Sequence, residues 1–154
     1  MQDYTTSFGI GFVAGMRTMT ACAALTWAAS TGRTRDGFIP SSPEARTLAT
    51  AAALAEMAGD KMPSAPDRRI PPSFAARLVI GAVGGWALAS QPASPDHGAL
   101  AGVAGALAGT LLGRAVRGPD SRTASGRAWG LAEDVAAVCL AAALVNAAEP
   151  QRQS

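Results

Sequence analysis

At 154 residues the chain has the size of one domain. Only 16% of its residues are charged and its formal net charge is +2, against roughly 25% charge in an ordinary soluble domain; this excludes a disordered chain, a basic nucleic-acid arm and an acidic tail. A compact Ala-rich helical protein and a small membrane protein remain, and mean hydropathy of +0.18 does not separate them, because 36 of the hydrophobic residues are Ala.

The positions of the charges separate the two classes, since a soluble helix needs a polar stripe along its length and a spanning helix does not tolerate one. From Tyr4 to Gly32 the only charge is Arg17, and there is none from Leu78 to Pro95, from His97 to Gly113 or from Val135 to Ala148. Between these stretches lie segments dense in Arg, Asp, Pro and Ser. The pattern predicts five helices, at 6–30, 43–60, 73–91, 97–115 and 127–148, in one integral membrane domain over 1–154. The fold class expected is an all-α polytopic transmembrane bundle packed through Gly and Ala, in the inner (plasma) membrane.

The first segment opens Met1-Gln2-Asp3-Tyr4 without a basic region and contains Arg17, so it reads as a retained helix and not as a cleaved signal peptide. The second has a charge-free core only over Thr47 to Ala55, about half of the ~20 residues that cross the hydrocarbon. The third and fourth are joined by a short turn containing His97. With five spans and the N-terminus inside, the inner loops hold Lys61, Arg68, Arg69, Arg114, Arg117, Arg122 and Arg127. The outer segments hold Arg33, Arg35, Arg46 and Arg152, so the excess of basic residues favours N-inside, C-outside.

Glycines recur at small-residue spacing: Gly98, Gly102, Gly105, Gly109 and Gly113 in the fourth helix, Gly11 and Gly15 in the first, Gly81 and Gly85 in the third. Such stripes let neighbouring backbones approach closely in lipid. Two uses are open, a zipper between copies in a homo-oligomer and packing within one chain. In water each interior Gly costs about 1 kcal/mol relative to Ala, so five in one helix fit a membrane better.

A charge at the bilayer centre costs at least a few kcal/mol, which makes each one a candidate for function with an expected partner. Arg17 lies near the middle of the first helix. Glu56 and Asp60, four apart, share a helical face, and Glu133 with Asp134 stands near the start of the fifth helix, where the helix dipole favours an anion. Arg77, one turn into the third helix, is expected to snorkel. The spacing predicts that Arg17 pairs with Glu56, Glu133 or Asp134, as a register-fixing ion pair or as a polar site for an ion, a proton or a small solute. Lys61 extends this network, and Glu56 and Asp60 are placed to share a proton. The proline-rich stretch from Asp60 to Pro72 reads as a lid, as a connector, or as a headgroup-binding loop in which Arg68 and Arg69 meet anionic lipid.

Gly15-Met16-Arg17-Thr18-Met19-Thr20, Glu56 with Asp60-Lys61-Met62-Pro63 and Pro66-x-Arg68, Arg77 before a Gly-rich helix, and Ala132-Glu133-Asp134 together resemble a bacterial family of small integral membrane proteins of unknown function. The resemblance spans nearly the whole chain, implies a polytopic membrane fold, and implies no activity.

Enzyme signatures are missing from the sequence: no phosphate loop, no His-Glu-x-x-His, no nucleophile elbow and no Cys pair at metal spacing. No enzymatic activity, metal or cofactor is expected, and Cys22 and Cys139 read as small apolar residues. Trp27, Trp86 and Trp129 fall near helix ends, where an interfacial belt would put them. The functional expectation is a transporter- or channel-like role through the Arg and carboxylate network; the alternative is a membrane scaffold in which that network is structural. Membrane lipid is the expected partner, with a second copy of the chain also open, and nucleic acid is not.

Overall fold

The computed structural model describes residues 4–35, 37–59, 71–117 and 124–151. Among the described residues there are six helices and no strand: α1 (Thr5–Met16), α2 (Thr18–Ser30), α3 (Pro43–Gly59), α4 (Pro71–Ala87), α5 (Pro95–Arg117) and α6 (Ala124–Ala147). Prolines open α3, α4 and α5 at the first helical position, where a missing N–H costs nothing. Ser42 caps α3 by accepting the Ala45 N–H at 3.2 Å. His97 sits within the first turn of α5, against the ring of Tyr4, and not in the turn before it.

The principal departure from the sequence reading is at 6–30, which is two helices and not one. Arg17 is extended (φ −143°, ψ 101°) and separates α1 from α2. The two halves fold back on each other. Thr6 at the start of α1 donates its hydroxyl to Leu88 O (3.2 Å), and Arg35 beyond the end of α2 donates its N–H to Ala87 O (2.8 Å), so both outer ends meet the same turn. A Cβ added to Gly84 would lie 3.2 Å from both Ile10 and Leu25, one from each arm. The segment is therefore a helical hairpin with Arg17 at its tip. Its arms of 12 and 13 residues reach about 20 Å, short of the ~30 Å hydrocarbon thickness.

The other helices run alongside the arms, and their contacts fix their directions. Ser7 Oγ donates to Gly85 O (2.7 Å) and Arg77 reaches Gly15, so α4 is antiparallel to α1. Trp27 Nε1 faces Thr50 Oγ1 at 3.4 Å while Glu56 meets Thr18, so α3 is antiparallel to α2. Asp134 meets Arg17, and Arg33 beyond α2 meets the end of α6, so α6 is parallel to α2.

At the hairpin's open end, here called the base, two arginines tie elements together. One guanidinium nitrogen of Arg33 donates to the carbonyls of Val145 (2.9 Å), Asn146 (2.6 Å) and Ala148 (2.9 Å), closing the C-terminus of α6, which ends without a partner for its last carbonyls. Arg35 does the same for Ala89 (2.9 Å) and Ala93 (2.8 Å) in the turn after α4, and the Gln151 N–H joins Gly32 O (2.8 Å). Sequence reading placed both arginines among the outer-segment charges; their structural work as backbone caps was not foreseen.

The glycines make α1, α4 and α5 one unit. A methyl added to Gly11 would fall on the backbone of Gly102, and one on Gly15 would fall on Ala106 and Thr110. Gly105 and Gly109 lie against the backbone of Phe8 and Phe12, while Gly98 and Gly102 lie against Gly85 and Gly81. Gly113 is buried further along the same helix. The stripe thus faces neighbours within the chain on two sides of α5.

Burial is inverted relative to a water-soluble protein. Beside a small apolar core that includes Ile10, Val13, Leu25, Leu88 and Leu144, the interior is mostly Ala and Gly, with Ser7, Arg17, Thr18, Thr20, Thr26, Arg77, Thr110 and Asp134. The outside carries the large apolar side chains, among them Leu48 at 73% exposure, Leu100 at 65%, Leu111, Val79 and Val135. Two segments are long and apolar enough to cross a membrane, Pro95–Ala115 in α5 and Gly130–Ala147 in α6; the remaining helices are shorter or more charged, so the described residues do not form five clear spans. The base carries the aromatic side chains Tyr4, Trp27, Phe38 and Trp86, the last two in edge-to-face contact at 6.1 Å, and exposed Phe74 stands in the first turn of α4 at the tip end.

Gly102→Ala is expected to force α4 and α5 apart and lower stability by about 1–3 kcal/mol, the usual cost of overpacking. Gly130→Ala, where an added Cβ meets nothing within 4 Å, is expected to stabilise α6 by up to about 1 kcal/mol. Thermal unfolding of the detergent-solubilised variants checks both, and a Gly102→Ala protein as stable as wild type would refute the packing.

Candidate functional site

A bend between two helices exposes the last carbonyls of the first and the first N–H groups of the second, and burial makes each of these expensive unless paired. The tip residues are deeply buried: Arg17 is 2% exposed and Asp134 4%. Three of the backbone groups freed at the tip, the Gly15 carbonyl and the Thr18 and Met19 amides, are met by side chains from other helices. Glu56 of α3 accepts the N–H groups of Thr18 (3.3 Å) and Met19 (2.9 Å), one on each carboxylate oxygen, and so caps α2. Arg77 of α4 donates to Gly15 O, and Thr110 of α5 donates its hydroxyl to the same oxygen at 3.2 Å. The Arg17 guanidinium forms an ion pair with Asp134 of α6.

The signs of these charges follow the helix dipoles. An anion sits at the positive end of α2 and a cation at the negative end of α1, the arrangement that stabilises each half-helix. Charge-assisted hydrogen bonds of this kind are stronger than neutral ones, more so in a water-poor interior.

Of the residues singled out from the sequence, Arg17 and Asp134 are in contact, Glu56 lies at the same bend on backbone amides, and half-buried Glu133 stands beside Asp134. Asp60, Lys61, Arg68 and Arg69 lie outside the described residues, and with them the Glu56–Asp60 pair and the basic loop. Arg77 departs from expectation: it is buried and bound to a backbone carbonyl instead of snorkelling. Thr110 was missed because a threonine in a Gly/Ala helix carries no signal of its own; only the bend gives it a task. Thr20 is also buried, and its hydroxyl has no hydrogen-bond partner among the described residues. The usual acceptor for such a hydroxyl is the carbonyl four residues back, here Met16, on the other side of the bend.

The tip lies alongside the two span-length segments. Thr110 and Asp134 both fall in the far third of their span-length segments, Pro95–Ala115 and Gly130–Ala147, counted from the base. Among the described residues no group of three or more His, Cys, Asp or Glu is placed to hold a metal ion, and Cys22 and Cys139 are free thiols.

A family model described as a glycine zipper 2TM domain matches residues 77–117. The matched segment starts at Arg77 and takes in the rest of α4 and all of α5, the pair joined through Gly81, Gly85, Gly98 and Gly102. It does not include the Gly-Met-Arg, Glu-x3-Asp-Lys-x-Pro or Ala-Glu-Asp elements. No curated protein and no solved structure matches the chain. The match, the two span-length segments and the inverted burial together support a membrane-associated protein.

Asp134→Ala leaves the Arg17 charge buried without its carboxylate and is expected to cost about 3–5 kcal/mol. The double variant Arg17→Met with Asp134→Leu, which removes both charges, is expected to regain most of that loss. Unfolding of the three proteins in detergent checks this; a double variant no more stable than Asp134→Ala would show that Arg17 holds the bend by other means.

Proposed function

We propose that the chain is a multi-pass protein of the inner membrane in which α1 and α2 form a re-entrant hairpin, and that the hairpin tip is a polar station for a small ion or solute. The observation that carries this reading is the buried tip itself. Two half-helices meet inside the span, and their facing ends are held by Arg77, Thr110, Glu56 and the Arg17–Asp134 pair. In a bilayer, irregular backbone at this depth is tolerated only where protein or a water-lined cavity satisfies it, and facing half-helix ends are a common way of building an ion site. Glu56 is the group most suited to respond to a ligand, because it comes from α3, the helix with a single buried residue, Ala53. An incoming anion would compete with Glu56 for the Thr18 and Met19 amides.

The hairpin also changes the topology that follows from the basic residues. Seven of them, Lys61, Arg68, Arg69, Arg114, Arg117, Arg122 and Arg127, follow the far ends of helices or lie within a turn of them. Arg33, Arg35 and Arg46 belong to the base, and Arg152 follows Gln151 in the sequence. Since α1 begins at the base, the excess of positive charge on the far side favours a topology with both the start of α1 and the end of α6 outside, whereas a five-span chain would be N-inside, C-outside.

Two measurements test this reading. In a Cys22→Ala, Cys139→Ala background, a cysteine at Gln91 should react with a membrane-impermeant maleimide from the outside of intact cells, and one at Ala115 only after permeabilisation; the reverse pattern refutes the topology. Purified protein in liposomes should dissipate an imposed proton gradient, and Glu56→Gln, which keeps an acceptor for the α2 amides but cannot take up and release a proton, should slow this by about tenfold or more, the change that 1.4 kcal/mol at the site produces. Flux no greater than that of protein-free vesicles overturns the transport reading and leaves the scaffold reading, which the use of the same side chains as backbone caps also supports.

A further inference from the structure

The helices α2 and α6 are fastened at both ends, by Arg17–Asp134 at the tip and by Arg33 on the carbonyls of Val145 and Asn146 at the base. Between these fastenings they do not close. Ala24 faces Ala141 and Ala142 where larger side chains would fill the gap, and a groove of about 340 Å³ remains. Its walls are almost wholly apolar, with Val138 and Val145 on α6 and Trp27 on α2, and Thr20 stands at its inner end. From Thr20 to Trp27 the groove follows two turns of α2, about 10 Å.

Two guanidinium groups stand close to the residues that line the base end of the groove. Trp27 forms part of the wall, and the Arg46 guanidinium lies over its ring, 4.9 Å from the centroid. Arg46 makes no ion pair among the described residues. Arg33 adds a second guanidinium at the same end, on residues that also line the groove. An apolar slot that leads to a tryptophan and two arginines at the interface matches the shape and charge of one lipid: a hydrocarbon chain in the slot and an anionic headgroup at its mouth.

We infer that the α2–α6 groove binds one acyl chain of an anionic phospholipid, with the headgroup held at Arg46. This rests on the membrane reading and not on the transport reading. The bound chain completes the α2–α6 contact that the small residues leave open, so lipid is a structural part of the hairpin's outer wall.

The test uses the full chain in detergent with Trp86→Phe and Trp129→Phe, so that Trp27 is the remaining tryptophan. Phosphatidylglycerol with brominated chains should quench Trp27 at a concentration about fivefold lower than brominated phosphatidylcholine, the preference that one arginine near an anionic headgroup supplies. Arg46→Ala should remove the preference while leaving quenching in place, and Ala142→Phe, which fills the slot, should reduce quenching by both lipids. Wild-type protein, which needs no substitution, should melt at a higher temperature in phosphatidylglycerol than in phosphatidylcholine. Equal quenching and equal melting in the two lipids overturn the inference, as does quenching that Ala142→Phe leaves unchanged. Either result stands apart from the flux measurement, which reads the tip and not the groove.

Discussion

The fold depends on one requirement, that backbone polar groups at a bend buried inside the bundle must all be paired. A break at Arg17 liberates the buried Gly15 carbonyl and the Thr18 and Met19 amides. Side chains from α3, α4 and α5 supply the partners, and α6 supplies the counter-charge for Arg17 itself. Four helices are thereby fixed to one point. Their register relative to the hairpin is set by polar contacts, while their spacing is set by the glycines that bring α1, α4 and α5 into backbone contact.

These two devices divide the work in a way that suits a chain with few large core residues. Ile10 and Val13 are the largest fully buried apolar side chains, and most of the rest of the interior is alanine. Such an interior buries little apolar area per residue and would be weakly stabilised in water. Close backbone approach and satisfied polar groups are instead the means by which helices associate in lipid, where a leucine gains little by turning inward. The outward leucines and valines of α3, α4, α5 and α6 follow from the same argument.

Much of this could be read from the sequence, and the limits of the reading are instructive. Charge gaps located the helical regions, and the cost of a buried charge singled out Arg17, Glu56 and Asp134, all of which lie at the bend. The bend itself was hidden, because no proline or glycine stands between Met16 and Thr18 and the local pattern of 6–30 is that of one long apolar helix. Its cause is tertiary: the partners that make a break affordable sit tens of residues away. Arg77 was misjudged for the same reason, since a cation one turn from a helix start has an easy route to the surface unless a carbonyl is waiting inside. Thr110, Arg33 and Arg35 act on backbone groups, and sequence patterns record side-chain periodicity far better than they record unpaired carbonyls.

The separation of these partners along the chain has a consequence for how the molecule forms. Gly15 and Arg77 are 62 residues apart and Gly15 and Thr110 are 95 apart, and Asp134 belongs to the last helix. While the chain is being made, the first segment therefore exists without any of the groups that stabilise its bend, and over the 25 residues of 6–30 a continuous helix is the form that pairs its own backbone. The hairpin is closed from the C-terminal side, by residues that arrive last. The bend is in this sense a property of the finished bundle, and a chain lacking α6 would leave Arg17 without the Asp134 carboxylate.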